Sequence, residues 1–211
     1  MSSTNRGSQR NRADNYPTPT WCVRRLLEAV KLPGGTWLEP TAGAGAIIEG
    51  VNAVRDDIEW TAVELRSECR GPLGKLVGDT RRVHIADFTE FSPAGVKEPN
   101  VVITNPPYLH AMPIVEHALG FGGLVVMLLR LNFLSSGTRA EFLRRHPPDV
   151  YVLPNRPSFT ASGKTDSIEY AWFVWNPGRR RRKGAIQVLA PTSKDERRND
   201  LVTLRLAGGG A

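Results

Sequence analysis

The run Thr36-Trp37-Leu38-Glu39-Pro40-Thr41-Ala42-Gly43-Ala44-Gly45-Ala46 decides how the chain folds. Thr36 to Pro40 reads as a short strand, the alternating glycines as a tight turn, and Ala46 to about Val54 as a helix. A strand, a glycine turn and a helix form one half of a strand–helix–strand unit, and the flanking sequence repeats the alternation. Upstream, Trp21 to Val30 has apolar residues near helical spacing, with Thr20 as its expected cap and Pro33-Gly34-Gly35 as its stop. Downstream, strands are expected over Glu59–Leu65, Arg82–Phe88, Val101–Asn105 and Leu124–Leu129. Helices are expected over Glu68–Val77, broken at Gly71-Pro72, then over Pro113–Leu119 and Thr138–Arg145. Leu124 to Leu129 is wholly apolar, as befits a central strand covered on both faces. Val150–Leu153, Ile168–Trp175 and Ala185–Leu189 read as late strands with few helices between them. The expected fold is therefore α/β, a doubly wound and mostly parallel sheet with an antiparallel hairpin at its edge. Trp172, Phe173 and Trp175 read as edge-strand residues.

Composition narrows the class. The chain has 211 residues, 40% of them hydrophobic, and can bury one ample core. It holds only two cysteines, Cys22 and Cys69, without paired spacing, which gives no sign of a disulfide framework or a zinc cluster. The polar N-terminus has no apolar signal segment, and the longest apolar run is too short to span a bilayer. A soluble, cytoplasmic protein is expected, with no membrane partner, no metal and a monomeric state. The net charge of +7 is unevenly placed. Residues 1–15 set Arg6, Arg10 and Arg12 against Asp14, and residues 176–211 set nine basic residues against Asp195, Glu196 and Asp200. Those ends carry +2 and +6, leaving −1 between them, a pattern that suits a polyanionic partner reached by the ends. Residues 1–15 read as a disordered tail, 16–190 as one domain and 191–211 as a flexible tail.

The strand ends carry the chemistry. Val101-Val102-Ile103-Thr104 runs into Asn105-Pro106-Pro107-Tyr108. The prolines stop the strand, hold Asn105 extended and leave carbonyl acceptors without donors. The result is a rigid acceptor cluster beside a ring, suited to a planar group bearing an NH2. At the first strand, Gly43 and Gly45 let backbone approach a ligand, but Ile48 stands where a pyrophosphate-binding turn needs its third glycine. Glu64 ends the second strand where an acidic side chain commonly takes ribose hydroxyls. Asp87-Phe88 ends the third, offering a carboxylate for an amino group and a ring for an adenine face. A nucleoside ligand without a pyrophosphate fits these three ends together.

Those motifs carry a resemblance. Glu39-Pro40-Thr41-Ala42-Gly43-Ala44-Gly45 resembles the cofactor motif of class I S-adenosylmethionine-dependent methyltransferases, whose fold is Rossmann-like with a seven-stranded sheet. Asn105-Pro106-Pro107-Tyr108 resembles the catalytic motif of amino-methyltransferases acting on adenine N6. Tyr16-Pro17-Thr18-Pro19 and residues 158–175 resemble segments of adenine-specific DNA methyltransferases of the small phage and prophage type. The resemblance covers residues 16 to 176. It implies S-adenosyl-L-methionine as cofactor, held by Tyr16, Thr18, Pro19, Glu39, Pro40, Ala42, Gly43, Gly45, Glu64, Leu65, Asp87, Phe88 and Asn105. It implies catalysis at Asn105, Pro106, Pro107 and Tyr108, and DNA as partner, with Tyr108, Phe159 and Lys164 as expected contacts. The charge run Arg179, Arg180, Arg181, Arg182 and Lys183 reads as a loop tip suited to the phosphate backbone, or else as a solvated face. Larger relatives carry a separate target-recognition domain, for which no segment here is long enough.

Alternatives stay open at this stage. The same chemistry suits RNA adenine, cytosine N4 or a protein glutamine amide. A non-catalytic nucleic-acid-binding protein on the same fold, and a nicotinamide oxidoreductase, are rivals from other classes. Ser162-Gly163-Lys164-Thr165 ends like a phosphate loop but lacks its first glycine. His84, His110, His117 and His146 have no metal-ligand spacing.

Overall fold

The computed structural model describes residues 17–92, 94, 97–159, 167–178 and 184–200. Helices α1 (Thr20–Ala29), α2 (Ala46–Asn52), α3 (Arg70–Val77), α4 (Ala111–Leu119) and α5 (Ala140–Arg145) alternate with strands β1 (Gly35–Glu39), β2 (Ile58–Glu64), β3 (Val83–Ile85), β4 (Val101–Thr104) and β5 (Leu124–Arg130). Strands β6 (Asp149–Val152), β7 (Tyr170–Trp175) and β8 (Ile186–Val188) follow. All eight lie in one sheet of order β3-β2-β1-β4-β5-β7-β6-β8. Strand β7 runs antiparallel to β5 and β6, and the other pairings are parallel.

Side chains alternate across the pleat and both faces are covered. Trp37, Ile103, Val126, Leu128, Tyr170 and Trp172 pack with α1, α2 and α3 on one face. Leu38, Val102, Val125, Met127, Leu129 and Phe173 pack with α4 on the other. Strand β5 therefore needs apolar residues at every interior position, which is why Leu124 to Leu129 carries no polar side chain.

Four local expectations are corrected. Trp172, Phe173 and Trp175 do not lie on an edge, because β7 inserts between β5 and β6 and buries all three. The indole Nε1 of Trp172 donates to the Cys22 carbonyl at 2.9 Å, tying β7 to α1. Gly71-Pro72 does not break α3, since Pro72 sits in the first turn, where a backbone donor has no helical partner to lose. Strand β3 stops at Ile85 and Phe88 enters a 3-10 turn, because the Asp87 carboxylate accepts from the Thr89 amide and hydroxyl at 2.8 and 2.7 Å.

The fourth correction concerns α1. Thr20 is its first helical residue rather than its cap, and no side chain of its own caps it. Instead Asp200 Oδ2 accepts from the Trp21 backbone amide at 2.8 Å, supplying a carboxylate at the helix N-terminus. Residues 194–200, read as part of a loose tail, are helical, and Glu196 ion-pairs with Arg24 and Arg25 of α1 at 2.7 and 2.8 Å. None of the described helices is long and apolar enough to cross a membrane. Asp200→Ala is expected to cost about 1 kcal/mol, a typical cap value, and to lower Tm by about 2–4 °C in a chain of this size. Asp200→Asn, which keeps an acceptor, should lose less, and thermal unfolding of the two variants checks both.

Candidate functional site

Strand order reverses between β1 and β4, so no connection covers the carboxyl ends of these neighbouring strands. A cavity of about 1000 Å³ opens there, walled by residues that follow β1, β2, β3, β4 and β5. The glycine turn shapes its floor. Gly43 and Gly45 take φ of +58° and +88°, in the left-handed region that glycine enters freely. A side chain at Gly45 would also run into Leu76 of α3. The Thr41 and Thr104 hydroxyls meet at 2.6 Å, fastening the turn to the end of β4.

One end of the cavity is acidic. Glu64 is buried, with Oε2 accepting from the Gly43 amide at 2.6 Å and Oε1 from the Arg66 amide and Nε at 3.0 and 2.8 Å. Oε1 thus has both lone pairs engaged, while Oε2 keeps a second one for a ligand. Glu39 is 2% exposed, and its Oε2 is the one buried side-chain polar atom without a partner among the described residues. Burial pushes the Glu39 carboxyl well above the usual range, the Ile48 amide pulls it back in part, and the Glu64 charge adds to the rise. Asp87 stands exposed on the same wall, with its carboxyl held below the usual range by the Thr89 hydroxyl and amide.

The other end is built on Asn105. Its Nδ2 donates to Thr18 Oγ1 at 3.1 Å, and its Oδ1 accepts from the Tyr108 hydroxyl at 3.0 Å. The carboxamide is thus held from both sides, with its oxygen oriented by Tyr108. The Arg130 guanidinium lies 4.5 Å over the Tyr108 ring, and its Nε reaches the Tyr170 hydroxyl at 3.3 Å. Arg139 lines the same end, donating to the Phe133 and Asn132 carbonyls at 2.8 and 3.1 Å while its guanidinium stacks on the Phe133 ring.

Most of the residues singled out from the sequence meet here. Thr18, Glu39, Pro40, Ala42, Gly43, Glu64, Leu65, Asp87, Phe88, Asn105, Pro107 and Tyr108 all line the cavity. Pro19, Gly45 and Pro106 adjoin lining residues in the chain and are not themselves among them. Phe159 is corrected: its buried ring packs edge-on against Tyr170 at 5.1 Å and is not part of the wall. Tyr16, Lys164 and Arg179 to Lys183 lie outside the described residues. Sequence reading passed over Arg66, Arg130, Asn132 and Arg139. The one available signal was Arg130, a cation closing an otherwise apolar strand.

No family model matches the chain, and no curated protein matches it. Solved structures do match. The methyltransferase subunit of a type I restriction-modification system from Streptococcus thermophilus aligns over 89% of this chain and 51% of its own, with TM-score 0.62 and 15% identity. A protein described as a class I S-adenosylmethionine-dependent methyltransferase from Listeria monocytogenes aligns over 96% and 73%, with TM-score 0.59 and 11% identity. The chain has the class I methyltransferase fold. A predicted O-methyltransferase from Agrobacterium tumefaciens, with TM-score 0.56 and 18% identity, covers 87% of this chain and 96% of its own. The chain thus spans about half the length of the restriction-modification subunit and nearly the whole of the smaller enzyme.

Among the described residues no three His, Cys, Asp or Glu side chains group as metal ligands. The donor set suits an organic cation with hydroxyls: a buried carboxyl with one unpartnered oxygen, a second carboxylate with a spare lone pair on Oε2, and a glycine turn open to close approach. Because Glu39 keeps its proton to higher pH when folded than when unfolded, its contribution to stability is full at low pH and fades as pH rises through its folded range. Glu39→Gln cannot ionise, so its Tm should gain on that of the natural protein as pH rises and lose the advantage in acid. Melting curves across pH check this, and a constant difference would contradict it.

Proposed function

We propose that the protein transfers a methyl group from S-adenosyl-L-methionine to the exocyclic N6 of adenine in DNA. The observation that carries this reading is the Asn105 carboxamide, fixed by Thr18 and Tyr108 so that an acceptor oxygen stands at the end of β4 beside an aromatic ring. An exocyclic amine on adenine is a poor nucleophile, because its lone pair is delocalised into the ring. Acceptors at Asn105 Oδ1 and the Pro106 carbonyl bind its N–H groups and favour a pyramidal nitrogen with a localised lone pair. Preset acceptors cost no reorganisation when the base arrives.

The cofactor fits the acidic end. Gly43 and its neighbours would hold the methionine part, Glu64 the ribose hydroxyls, and Asp87 with Phe88 the adenine, while Glu39 supplies a buried carboxylate to a cationic ligand. When bound, S-adenosylmethionine supplies an electrophilic methyl on sulfonium. The polarity of the cavity supports a nucleic acid at the other end: carboxylates line one side, and the guanidiniums of Arg130 and Arg139 the other. Phosphodiesters favour the second. The Streptococcus subunit described above, which methylates within a restriction-modification system, supports DNA as the polymer. A base in a duplex must be flipped out, at a cost of a few kcal/mol. Stacking on Tyr108 offsets part of that, being worth roughly 1–3 kcal/mol per base.

Purified protein with labelled cofactor, offered DNA and RNA separately and followed by mass spectrometry of the nucleosides, tests both polymer and base. N6-methyladenine in DNA is expected. Label in RNA, in cytosine or in protein glutamine would redirect the reading to that acceptor. Asn105→Ala should abolish transfer while calorimetry still detects cofactor binding, and retained transfer would overturn the assignment of that residue.

A further inference from the structure

Leu109 is the most exposed large apolar side chain among the described residues, at 78%. Single exposed leucines are ordinary, so exposure alone decides nothing. Its position does. It follows Tyr108 directly and stands on the cavity wall beside Asn105, Tyr108 and Arg130.

The backbone beneath it has little freedom. Pro106 and Pro107 precede it, Tyr108 to His110 form a 3-10 turn closed by the His110 amide on the Pro107 carbonyl at 2.9 Å, and α4 begins at Ala111. Ala111 and Ile114 are already packed in the core, so this turn cannot carry Leu109 inward without unseating α4. An apolar group is therefore held out at the one rim where a base would enter.

We propose that Leu109 is a wedge that enters the base stack of a duplex when the target adenine leaves it, filling the gap next to the base held by Tyr108 and Asn105. This rests on the DNA reading above and deepens it, because it makes double-stranded DNA the substrate form. The physics is that of other apolar wedges: unstacking costs a few kcal/mol per step, and an inserted leucine replaces water in the gap with apolar contact. Single strands leave no gap to fill.

The test compares Leu109→Ala with the natural protein on three substrates that share one target site, mapped by sequencing methylated plasmid DNA. These are a matched duplex, the same duplex with an abasic site opposite the target adenine, and the single strand. A wedge predicts that kcat/KM falls about tenfold on the matched duplex, a loss of about 1.4 kcal/mol, and hardly at all on the other two. Leu109→Met, which restores apolar reach, should recover most of the loss. Val54→Ala, an exposed apolar residue just beyond α2 at the opposite end of the sheet, should change nothing. Equal losses on all three substrates, or none on the matched duplex, overturn the wedge while leaving adenine methylation intact. Absence of transfer to any DNA by the natural protein overturns the function reading and the wedge with it.

Discussion

Two adjacent strand ends, those of β1 and β4, must stop at the same level with nothing crossing above them. The candidate site depends on that. Pro106 and Pro107 end β4 by removing ladder donors, and the glycine turn ends β1 by leaving the β region. The Thr41–Thr104 hydroxyl pair then holds the two ends in register. With the ends fixed, side chains that leave them diverge by charge: Glu39 and Glu64 on one side, and Asn105 with its arginine neighbours on the other. On the proposed function, a cavity sorted in this way would take a cationic small molecule and a polyanion from different directions.

Much of this was legible in the chain alone. The strand, turn and helix around Gly43 and Gly45 fall within two residues of their expected bounds, because backbone punctuation by glycine and proline is local. The acceptor strand Val101 to Thr104 was equally plain. What escaped the reading was long-range. Arg66 matters because it clamps Glu64, Arg130 because it lies over Tyr108 and meets Tyr170, and Asp200 because it caps a helix that begins at residue 20. No periodicity announces such pairings. Phe159 was misplaced for a related reason, since an aromatic near a binding segment and an aromatic in the core are alike in sequence.

The expected antiparallel hairpin near the sheet margin is present, but the place of β7 within it was misjudged, because a missing helix suggested an edge strand. The sheet instead accepts β7 between β5 and β6, where Trp172 can reach α1 and Trp175 can donate to the His146 carbonyl. An inner position also accounts for six consecutive buried residues from Tyr170 to Trp175, a pattern an edge strand would not carry.

The Asp200 cap and the β7 insertion bear on the order in which a growing chain can settle. During synthesis α1 is the first described element to emerge, yet its capping carboxylate comes 179 residues after Trp21. Strand β6 likewise appears before the strand that must sit between it and β5. A nascent chain therefore holds β1 to β5 as an unfinished sheet until residue 175 has left the ribosome. Thr18, the partner of the Asn105 amide, sits two residues before the helix that waits longest. The cavity is thus assembled from its acidic side first and from the side around Asn105 last.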